Sequence, residues 1–376
     1  MKRLLLLLVV SLMTTTIMAQ SRKGVPQIPI YPQLQEQGSF SMILVPDPQS
    51  YTKFAANQPL FDLQTAWIAQ NIDLLNIKAA LFTGDMVEHT GKQIYAPLPN
   101  EYNGDQTGRQ QWEAVSRALS RLDNRIPYVV AQGNHDIGHI TATDRHTIMP
   151  EYIRPERNIK WEKTLVSTCA NFEGVHTMEN SAYEFDGGEN WGKLLIITFE
   201  FAPRDEAIEW AKQLTELEKY KNHKVIILTH SWLDTDGNRI AKEGYTLSPC
   251  NWAEAVWQKL VYPSKNIKLV LCGHTGAAPA IKGGEAEKIN YKPTSSLRID
   301  KAADGHAVTQ MMFNSQQGDG DWNGNGGDCW LRILEFRPDG ETISVRTFSP
   351  LFALSRRTQH MAWRTEDYDQ FDIVIK

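Results

Sequence analysis

Five short polar segments each follow directly after an apolar run of the kind that forms a buried β-strand. They are Asp47-Pro48-Gln49, Gly84-Asp85, Gly133-Asn134-His135-Asp136, Thr229-His230 and Gly273-His274. In an open α/β sheet, ligands bind beyond the carboxyl ends of the strands. These segments bring carboxylate, amide and imidazole donors to such strand ends. They therefore predict one shared metal site, suited to Mg, Mn, Fe or Zn.

The elements that must position these donors can be read from the hydrophobic pattern. The apolar runs before the five segments cover residues 42–45, 78–83, 127–131, 225–228 and 267–271. Apolar residues also recur at helical spacing around Trp67, Trp112 and Trp210. This alternation predicts an α/β sandwich with crossover helices. Later in the chain, strands are predicted over 309–313, 330–336 and 342–348, with a hairpin turn at 337–340.

Three long stretches with weak periodicity follow the motif segments. They cover residues 88–109, 137–182 and 275–307, and we expect them to build a substrate pocket, because loops on a rigid scaffold commonly carry specificity. Four aromatic residues in or near them are candidates for lining that pocket, with ordinary core packing as the alternative: Tyr95, Tyr102, Trp161 and Trp191.

The amino terminus has the parts of a secretory signal peptide. Lys2 and Arg3 precede a leucine-rich run that ends near Leu12, and small residues lead to Ala19. The apolar run is too short to span a bilayer comfortably. We therefore expect the protein to be exported, to the periplasm or beyond, without a stable membrane anchor. An uncleaved anchor is the alternative.

Composition limits the classes of partner. The formal net charge is −5, from 39 basic and 44 acidic residues, and it becomes −7 when the signal region takes Lys2 and Arg3 with it. Such a chain has no general attraction to nucleic acid or anionic lipid. The four cysteines fit no zinc-finger spacing, and in an exported protein they could form disulfides of undetermined connectivity.

In order and spacing, the five segments resemble the motifs of the calcineurin-like metallophosphoesterases. That family reads D-x-H, G-D-x-x-D/N, G-N-H-D/E, a lone His and G-H-x-H, and the resemblance spans about residues 42–275. It implies a two-sheet sandwich flanked by helices, the α-β-β-α architecture. With this domain, the predicted organisation is a signal peptide at 1–19, an extended lead-in at 20–40, the metallophosphoesterase domain at 41–350 and a C-terminal extension at 351–376.

The resemblance assigns the donors to two metal ions. Asp85 would bridge both, and Asp47 and Gln49 would face the first. The second would be completed by Asn134, His230 and His274. Two such ions, roughly 3.5–4 Å apart, stabilise both the attacking and the leaving oxygens of an in-line displacement.

The same resemblance assigns proton chemistry to the Gly-Asn-His-Asp segment. His135 would protonate the leaving group or stabilise the phosphoryl oxygens, and the neighbouring Asp136 would orient its imidazole. A group of this type suits a general acid working near neutral pH.

Three positions depart from the family pattern. Gln49 stands where His is usual, and Gly276 stands at the last His of G-H-x-H, so the first metal loses two imidazoles and would depend on oxygen donors, which suits Mg or Mn. Glu88 replaces the usual Asp or Asn; Glu88 or His89 could supply a lost ligand, or both could be solvent-facing loop residues. D-x-Q with the shortened G-H motif resembles a secreted bacterial branch of the family.

These observations predict an exported metal-dependent phosphoesterase. It would use one or two divalent ions (Mn, Mg, Fe or Zn) and activated water on a small-molecule phosphomonoester or phosphodiester, with no nucleic-acid partner indicated. The oligomeric state stays open. One alternative is a decayed enzyme that acts as a metal-dependent binding protein. Another is a metal-dependent hydrolase of a non-phosphate substrate. The chain has no G-x-S-x-G, P-loop or H-E-x-x-H motif to support other hydrolase mechanisms.

Overall fold

The computed structural model describes residues 31–91, 104–276, 281–282, 285–286, 294–316 and 325–376. The predicted signal peptide at 1–19 lies outside these residues, as do the first part of the lead-in and two candidate pocket residues, Tyr95 and Tyr102. Within the described ranges, no helix has the length and apolar character needed to cross a membrane.

The described residues contain sixteen strands. In chain order they are β1 (Phe40–Val45), β2 (Ile77–Phe82), β3 (Tyr128–Val130), β4 (Leu165–Ala170), β5 (His176–Asp186), β6 (Lys193–Thr198), β7 (Lys224–Leu228), β8 (Ile267–Cys272), β9 (Ile281–Lys282), β10 (Glu285–Ala286), β11 (Thr294–Lys301), β12 (Ala307–Asn314), β13 (Leu331–Phe336), β14 (Thr342–Phe348), β15 (Trp363–Arg364) and β16 (Gln370–Val374).

Helices connect and flank these strands. In chain order they are α1 (Gln49–Thr52), α2 (Gln58–Gln70), α3 (Gly108–Leu119), α4 (Met149–Tyr152), α5 (Trp161–Thr164), α6 (Gly188–Trp191), α7 (Asp205–Glu216), α8 (Ala253–Val256) and α9 (Pro350–Ala353). Short 3-10 turns cover Pro155–Arg157 and Gln359–Met361, and a π-helical turn, Trp257–Val261, extends α8.

The strands form two large mixed sheets and, from β9 and β10, a separate two-stranded one. The first has the order β15-β14-β13-β1-β2-β3, with β16 also paired to β14; the second has the order β11-β12-β8-β7-β6-β5-β4. Strands β1, β2 and β3 run parallel, as do β6, β7, β8 and β12. The carboxyl ends of these parallel strands carry all five motif segments.

Side chains of the second sheet alternate between two cores, as the two-residue period of a strand requires. On β7, Ile226 and Leu228 join the core shared with the first sheet, whereas Val225 and Ile227 pack in the cluster that includes Ala211 of α7. Helices α2 and α3 cover the other face of the first sheet, through residues of the shared core. The predicted two-sheet sandwich flanked by helices is confirmed.

Several strands lie in stretches where the sequence showed only weak periodicity. Strands β4 and β5 fall in 137–182 and its continuation, and β9, β10 and β11 fall in 275–307. Strand β5 is buried along most of its length and nevertheless carries polar residues. Its Glu179 accepts hydrogen bonds from Gln132 at 2.9 Å and from Asn171 at 2.8 Å. Because these buried groups are satisfied by partners, the strand does not need the apolar alternation that sequence reading looks for.

The last residues of the chain belong to the first sheet. Strand β16 pairs with β14 over five residue pairs, and β15 adds two more, so residues 351–376 complete one edge of that sheet. All four cysteines lie within the described residues, and each carries a free thiol.

Candidate metal centre

The five motif segments meet at one edge of the sandwich, and four donor atoms converge there. His230 Nε2 lies 2.9 Å from Asn134 Oδ1, 3.1 Å from Asp85 Oδ2 and 3.1 Å from His274 Nδ1. When metal–ligand bonds are about 2.0–2.2 Å long, neighbouring ligand atoms lie roughly 3 Å apart. The structure therefore brings the residues predicted for the second metal together at ligand spacing.

Hydrogen bonds on the far side of each imidazole fix which nitrogen faces this cluster. His230 Nδ1 lies 2.8 Å from the Thr83 carbonyl oxygen, which can only accept, so Nδ1 carries the hydrogen and Nε2 faces the cluster. His274 is turned the other way, with Nε2 2.8 Å from Glu243 Oε2 and Nδ1 inward. A carboxylate or carbonyl partner of this kind orients a metal-binding histidine and raises its basicity. No motif marks Glu243 in the sequence, because it lies in a loop outside the five segments.

Asp47 is fully buried and held by three donors. Its Oδ1 accepts from Thr83 Oγ1 at 2.6 Å, and its Oδ2 accepts from the His274 backbone N–H at 2.9 Å and from Asn314 Nδ2 at 2.8 Å. Asn314 ends β12, a parallel strand of the second sheet, so it reaches the site by the same rule as the five motifs. The sequence predicted this strand at 309–313 and so ended it one residue before Asn314. The signal that could have identified Asn314 is its position as a polar residue at the end of a strand.

Gln49 presents an unpartnered oxygen in a buried position. Its side chain is fully buried, its Nε2 donates to Glu88 Oε2 at 3.2 Å, and its Oε1 has no hydrogen-bond partner. Glu88 Oε2 in turn lies 3.5 Å from the buried Lys53 ammonium. Leaving a buried carbonyl without a partner is costly unless a ligand satisfies it. An oxygen-preferring cation fits Gln49 Oε1, whereas the half-buried Gly276 has no side chain to offer.

Glu88 and His89 are buried, so the solvent-facing interpretation of these two residues was wrong. They are 7% and 6% exposed. Helix α3 packs over them, and its Gln111 Oε1 accepts from the Glu88 N–H at 2.7 Å. Glu88, His89 and His135 offer ligand atoms that all lie within 4.8 Å of one another, as do Asp85, His230 and His274.

The partner that orients His135 differs from the sequence prediction. His135 Nδ1 lies 2.6 Å from the Glu88 carbonyl oxygen, so the backbone fixes the ring and leaves Nε2 for proton chemistry. Asp136 instead accepts from the backbone N–H groups of Gly133 at 2.8 Å and Val87 at 3.2 Å. The carboxylate of Asp136 ties two loops together, and the prediction that it orients the imidazole was wrong.

Burial and charge set the protonation of the cluster. Burial lowers the pKa of His230, but the Asp85 and Asp47 carboxylates outweigh it and raise this pKa to about 10. Burial raises the pKa of Asp85, yet the nearby His230 and His135 hold it well below its usual range. For Asp47, burial dominates and raises the pKa. Two buried carboxylates thus attract positive charge, which a proton on His230 or a divalent cation can supply.

Close backbone approaches make room for the donors. A Cβ on Gly133 would lie 2.1 Å from Asp85 Oδ1, and one on Gly273 would lie 2.1 Å from Asp47 Oδ1, so any side chain there would displace a donor. Asp85 and His274 adopt positive φ values of 50° and 67°, which cost energy in residues with a Cβ. Such strain occurs at functional sites, where the surrounding structure enforces it. The donor set, the glycine cradle and the unpartnered Gln49 oxygen fit divalent metal.

The remaining candidates for the pocket wall belong to the core. Trp161 and Trp191 are 2% and 4% exposed. Their indole N–H groups donate to the carbonyl oxygens of Tyr128 at 2.9 Å and Arg337 at 2.6 Å. Both residues therefore pack in the core, which was the alternative to lining the pocket.

A family model and a curated relative match the sequence of this chain. The sequence model of the family described as calcineurin-like phosphoesterase matches residues 56–277, more than half of the chain, and begins after Asp47 and Gln49. A protein named "Uncharacterized protein YvnB" from Bacillus subtilis is 27% identical over 315 residues, or 83% of this chain. That match covers 20% of the relative, so the chain spans about a fifth of its length.

Two solved structures share similarity at low sequence identity. A dimetal phosphatase from Danio rerio has a TM-score of 0.47 and 10% identity, covering 90% of this chain and 99% of that one. GAP50, the anchor in the inner membrane complex of Plasmodium, has a TM-score of 0.43 and 11% identity, covering 90% and 89%.

Proposed function

Because this chain belongs to the calcineurin-like phosphoesterase family, we propose that it is an exported metal-dependent hydrolase of phosphomonoesters or phosphodiesters. The observation that carries the proposal is the convergence of an amide oxygen, a carboxylate oxygen and a second imidazole nitrogen at 2.9–3.1 Å around His230 Nε2. Export rests on the pattern of residues 1–19 alone.

We assign the metal ligands by the direction of their donor atoms. Asp85, Asn134, His230 and His274 would hold one ion. Asp47 and Gln49 would serve a second, with Asp85 between the two. When bound, divalent ions lower the pKa of water and offset charge on phosphoryl oxygens.

The protein's own groups orient these ligands and handle the proton. Glu243 and the Thr83 carbonyl set the tautomers of His274 and His230. Glu88, itself 3.5 Å from Lys53, accepts from Gln49 Nε2 and leaves Oε1 without a protein partner. His135, fixed through Nδ1, would deliver a proton from Nε2 to the leaving oxygen.

A small-molecule substrate suits the space beside this centre. A cavity of about 260 Å³ is lined by residues of the loops that carry Glu88 and His135, among them Thr90, Gly138 and His139. Among the described residues of its wall are Asp144 and His146 but no Lys or Arg, so these residues supply no basic cluster for a polyanion. This supports a single phosphoester group recognised by metal and a few polar contacts.

The second candidate function is a metal-dependent binding protein derived from an enzyme. Gln49 and Gly276 favour it, because both replace imidazoles of the first metal. Fully metallated protein that binds phosphate esters without turning them over would support it.

A phosphoester panel with controlled metal content tests the proposal. Chelated protein should hydrolyse nothing, and added Mn²⁺ should restore turnover of at least one monoester or diester. Asp85→Asn should abolish this activity, whereas Asp73→Asn, the same change at an exposed turn, should retain it. Turnover that survives both chelation and Asp85→Asn would refute a metal-dependent mechanism.

A further inference from the structure

The loop after the Gly-Asn-His-Asp segment folds back onto the asparagine of that segment. The Ala142 backbone N–H donates to the Asn134 carbonyl at 2.8 Å, and the turn between them places Thr141 directly beside Asn134. Ala142 is 1% exposed and has a φ of 42°, in the left-handed region that costs energy for a residue with a Cβ. Strain of this kind persists where the surrounding structure enforces it, commonly at functional sites.

Thr141 contacts Asn134 in two ways. Its hydroxyl donates to the Asn134 carbonyl at 3.3 Å, and its oxygen accepts from Asn134 Nδ2 at 2.9 Å. A threonine hydroxyl has a single hydrogen, so the oxygen that has given it to the carbonyl can meet the side-chain amide only as an acceptor. Nδ2 of Asn134 therefore faces Thr141, and Oδ1 faces the metal centre, 2.9 Å from His230 Nε2.

The orientation of this amide decides whether Asn134 can bind an ion. Oδ1 has lone pairs for a cation, whereas Nδ2 carries two hydrogens and would repel one. Asn134 is 1% exposed, so an Nδ2 without a protein acceptor would be a buried unsatisfied donor. Without the Thr141 hydroxyl, this NH₂ group would turn towards the Asp85 carboxylate, whose Oδ2 lies 3.1 Å from the same His230 nitrogen. Ion binding would then have to reverse that turn.

Tyr245 holds the Thr141 hydroxyl from a second side. The half-buried Tyr245 ring packs edge to face on Phe201 at 5.4 Å, and Phe201 also contacts both histidines of the metal centre. The Tyr245 hydroxyl lies in hydrogen-bonding contact with Thr141. Burial, together with the charges of Asp85 and Glu243, raises the pKa of Tyr245. The phenol therefore keeps its proton and can donate it to the remaining lone pair of the Thr141 oxygen.

We infer that Thr141 is a positioning residue of the metal centre: it holds the Asn134 amide with its oxygen on the ion and its nitrogen turned away. The inference rests on the metal ligands assigned in the proposed function and on no hydrolytic step. Thr141 itself touches neither the ion nor the substrate. Its hydroxyl acts through Asn134 alone, so its removal should lower the affinity for metal.

Titration calorimetry of Mn²⁺ into the chelated full chain tests this role without any substrate. Thr141→Val keeps the branched shape and removes the hydroxyl, so it should weaken Mn²⁺ binding roughly tenfold. Thr141→Ser keeps the hydroxyl and should bind like the wild type. Thr215→Val is the matched control, because that hydroxyl donates to the Lys212 carbonyl within α7. Wild-type affinity in Thr141→Val overturns the inference, as does a loss in Thr141→Ser as large as that in Thr141→Val.

The same substitution in an Asn134→Ala background separates positioning from a general structural effect. Once the amide is gone, Thr141 has nothing to orient, so Asn134→Ala and the double variant should bind Mn²⁺ equally. If Thr141→Val weakens binding by the same factor in both backgrounds, it acts through another contact and the inference is overturned.

Two controls keep the outcomes distinct. Thermal melting of the ion-free variants checks folding, and Thr141→Ala takes the place of Thr141→Val if the valine variant does not fold. Wild-type protein that binds no divalent ion would overturn the proposed function together with this inference. Wild-type protein that binds Mn²⁺ no more tightly than Thr141→Val overturns this inference alone.

Discussion

Replacing Glu243 with glutamine should weaken metal binding although Glu243 is not itself a predicted ligand. Its two carboxylate oxygens accept from two donors, His274 Nε2 at 2.8 Å and the Ser231 hydroxyl. Glutamine has one acceptor oxygen, so an NH₂ group must face one of these donors. His274 then loses either its hydrogen bond to residue 243 or the negative charge of that partner. That negative charge makes the inward-facing Nδ1 of His274 a better metal ligand.

The size of the effect follows from the geometry. The Glu243 side chain is 13% exposed, so the bond to His274 is largely shielded from solvent. Partners of metal-binding histidines typically contribute about 10–100-fold to metal affinity, which corresponds to roughly 1.4–2.7 kcal/mol. We expect Glu243→Gln near the lower end of this range and Glu243→Ala near the upper end, because alanine removes both acceptors.

Calorimetric titration of Mn²⁺ into chelated protein measures the change directly. Glu254→Gln is the matched control: it makes the same change at a residue 39% exposed, which pairs with Arg239 at 2.7 Å. The control should bind Mn²⁺ like the wild type. If Glu243→Gln also binds like the wild type, the reasoning that links Glu243 through His274 to the metal is refuted.

Three further outcomes are expected. Asp85→Asn should abolish turnover at saturating Mn²⁺ while Gln49→Ala lowers it less, because Asp85 would serve both ions and Gln49 is a neutral ligand of one; equal losses in steady-state assays would contradict this ranking. His135→Ala should keep its metal, measured by elemental analysis, and should slow alkyl phosphoesters by about 10²–10⁴-fold but nitrophenyl phosphoesters much less, because a good leaving group needs little protonation; equal slowing of both would argue against a general acid. The pKa of His230 is raised to about 10, so its imidazole holds an extra proton below that pH, and metal binding near neutral pH should release about one proton that calorimetry in two buffers detects. A proton count of zero would mean that His230 does not bind metal through Nε2.

The sequence located the donors that follow strands, because that signal is local. An apolar run that ends in a glycine and a polar residue can be read directly, and parallel strands bring such ends together. Asp85, Asn134, His230 and His274 were found in this way, and the structure places them at ligand spacing.

The supporting groups could not be found by the same reading. Glu243 lies in a loop that contacts His274 only because the tertiary fold brings the two together. Lys53 and Glu88 are likewise distant in sequence and meet only in the folded protein. His89 is buried because α3 packs over its loop, and this contact cannot be predicted from the residues near His89 in the sequence. Asp136 was misassigned because adjacency in sequence to His135 suggested a contact, whereas the turn directs its carboxylate to backbone amides.

Hydrolysis in ¹⁸O-labelled water tests the central claim most directly. The chelated protein is reloaded with Mn²⁺ and given the phosphoester from its panel that it turns over fastest. We predict that hydrolysis requires the added metal, disappears in Asp85→Asn, and places one ¹⁸O atom in the phosphate product and none in the alcohol. Metal-loaded protein that releases no phosphate product, or label that is found in the alcohol, would contradict water attack on phosphorus at this centre.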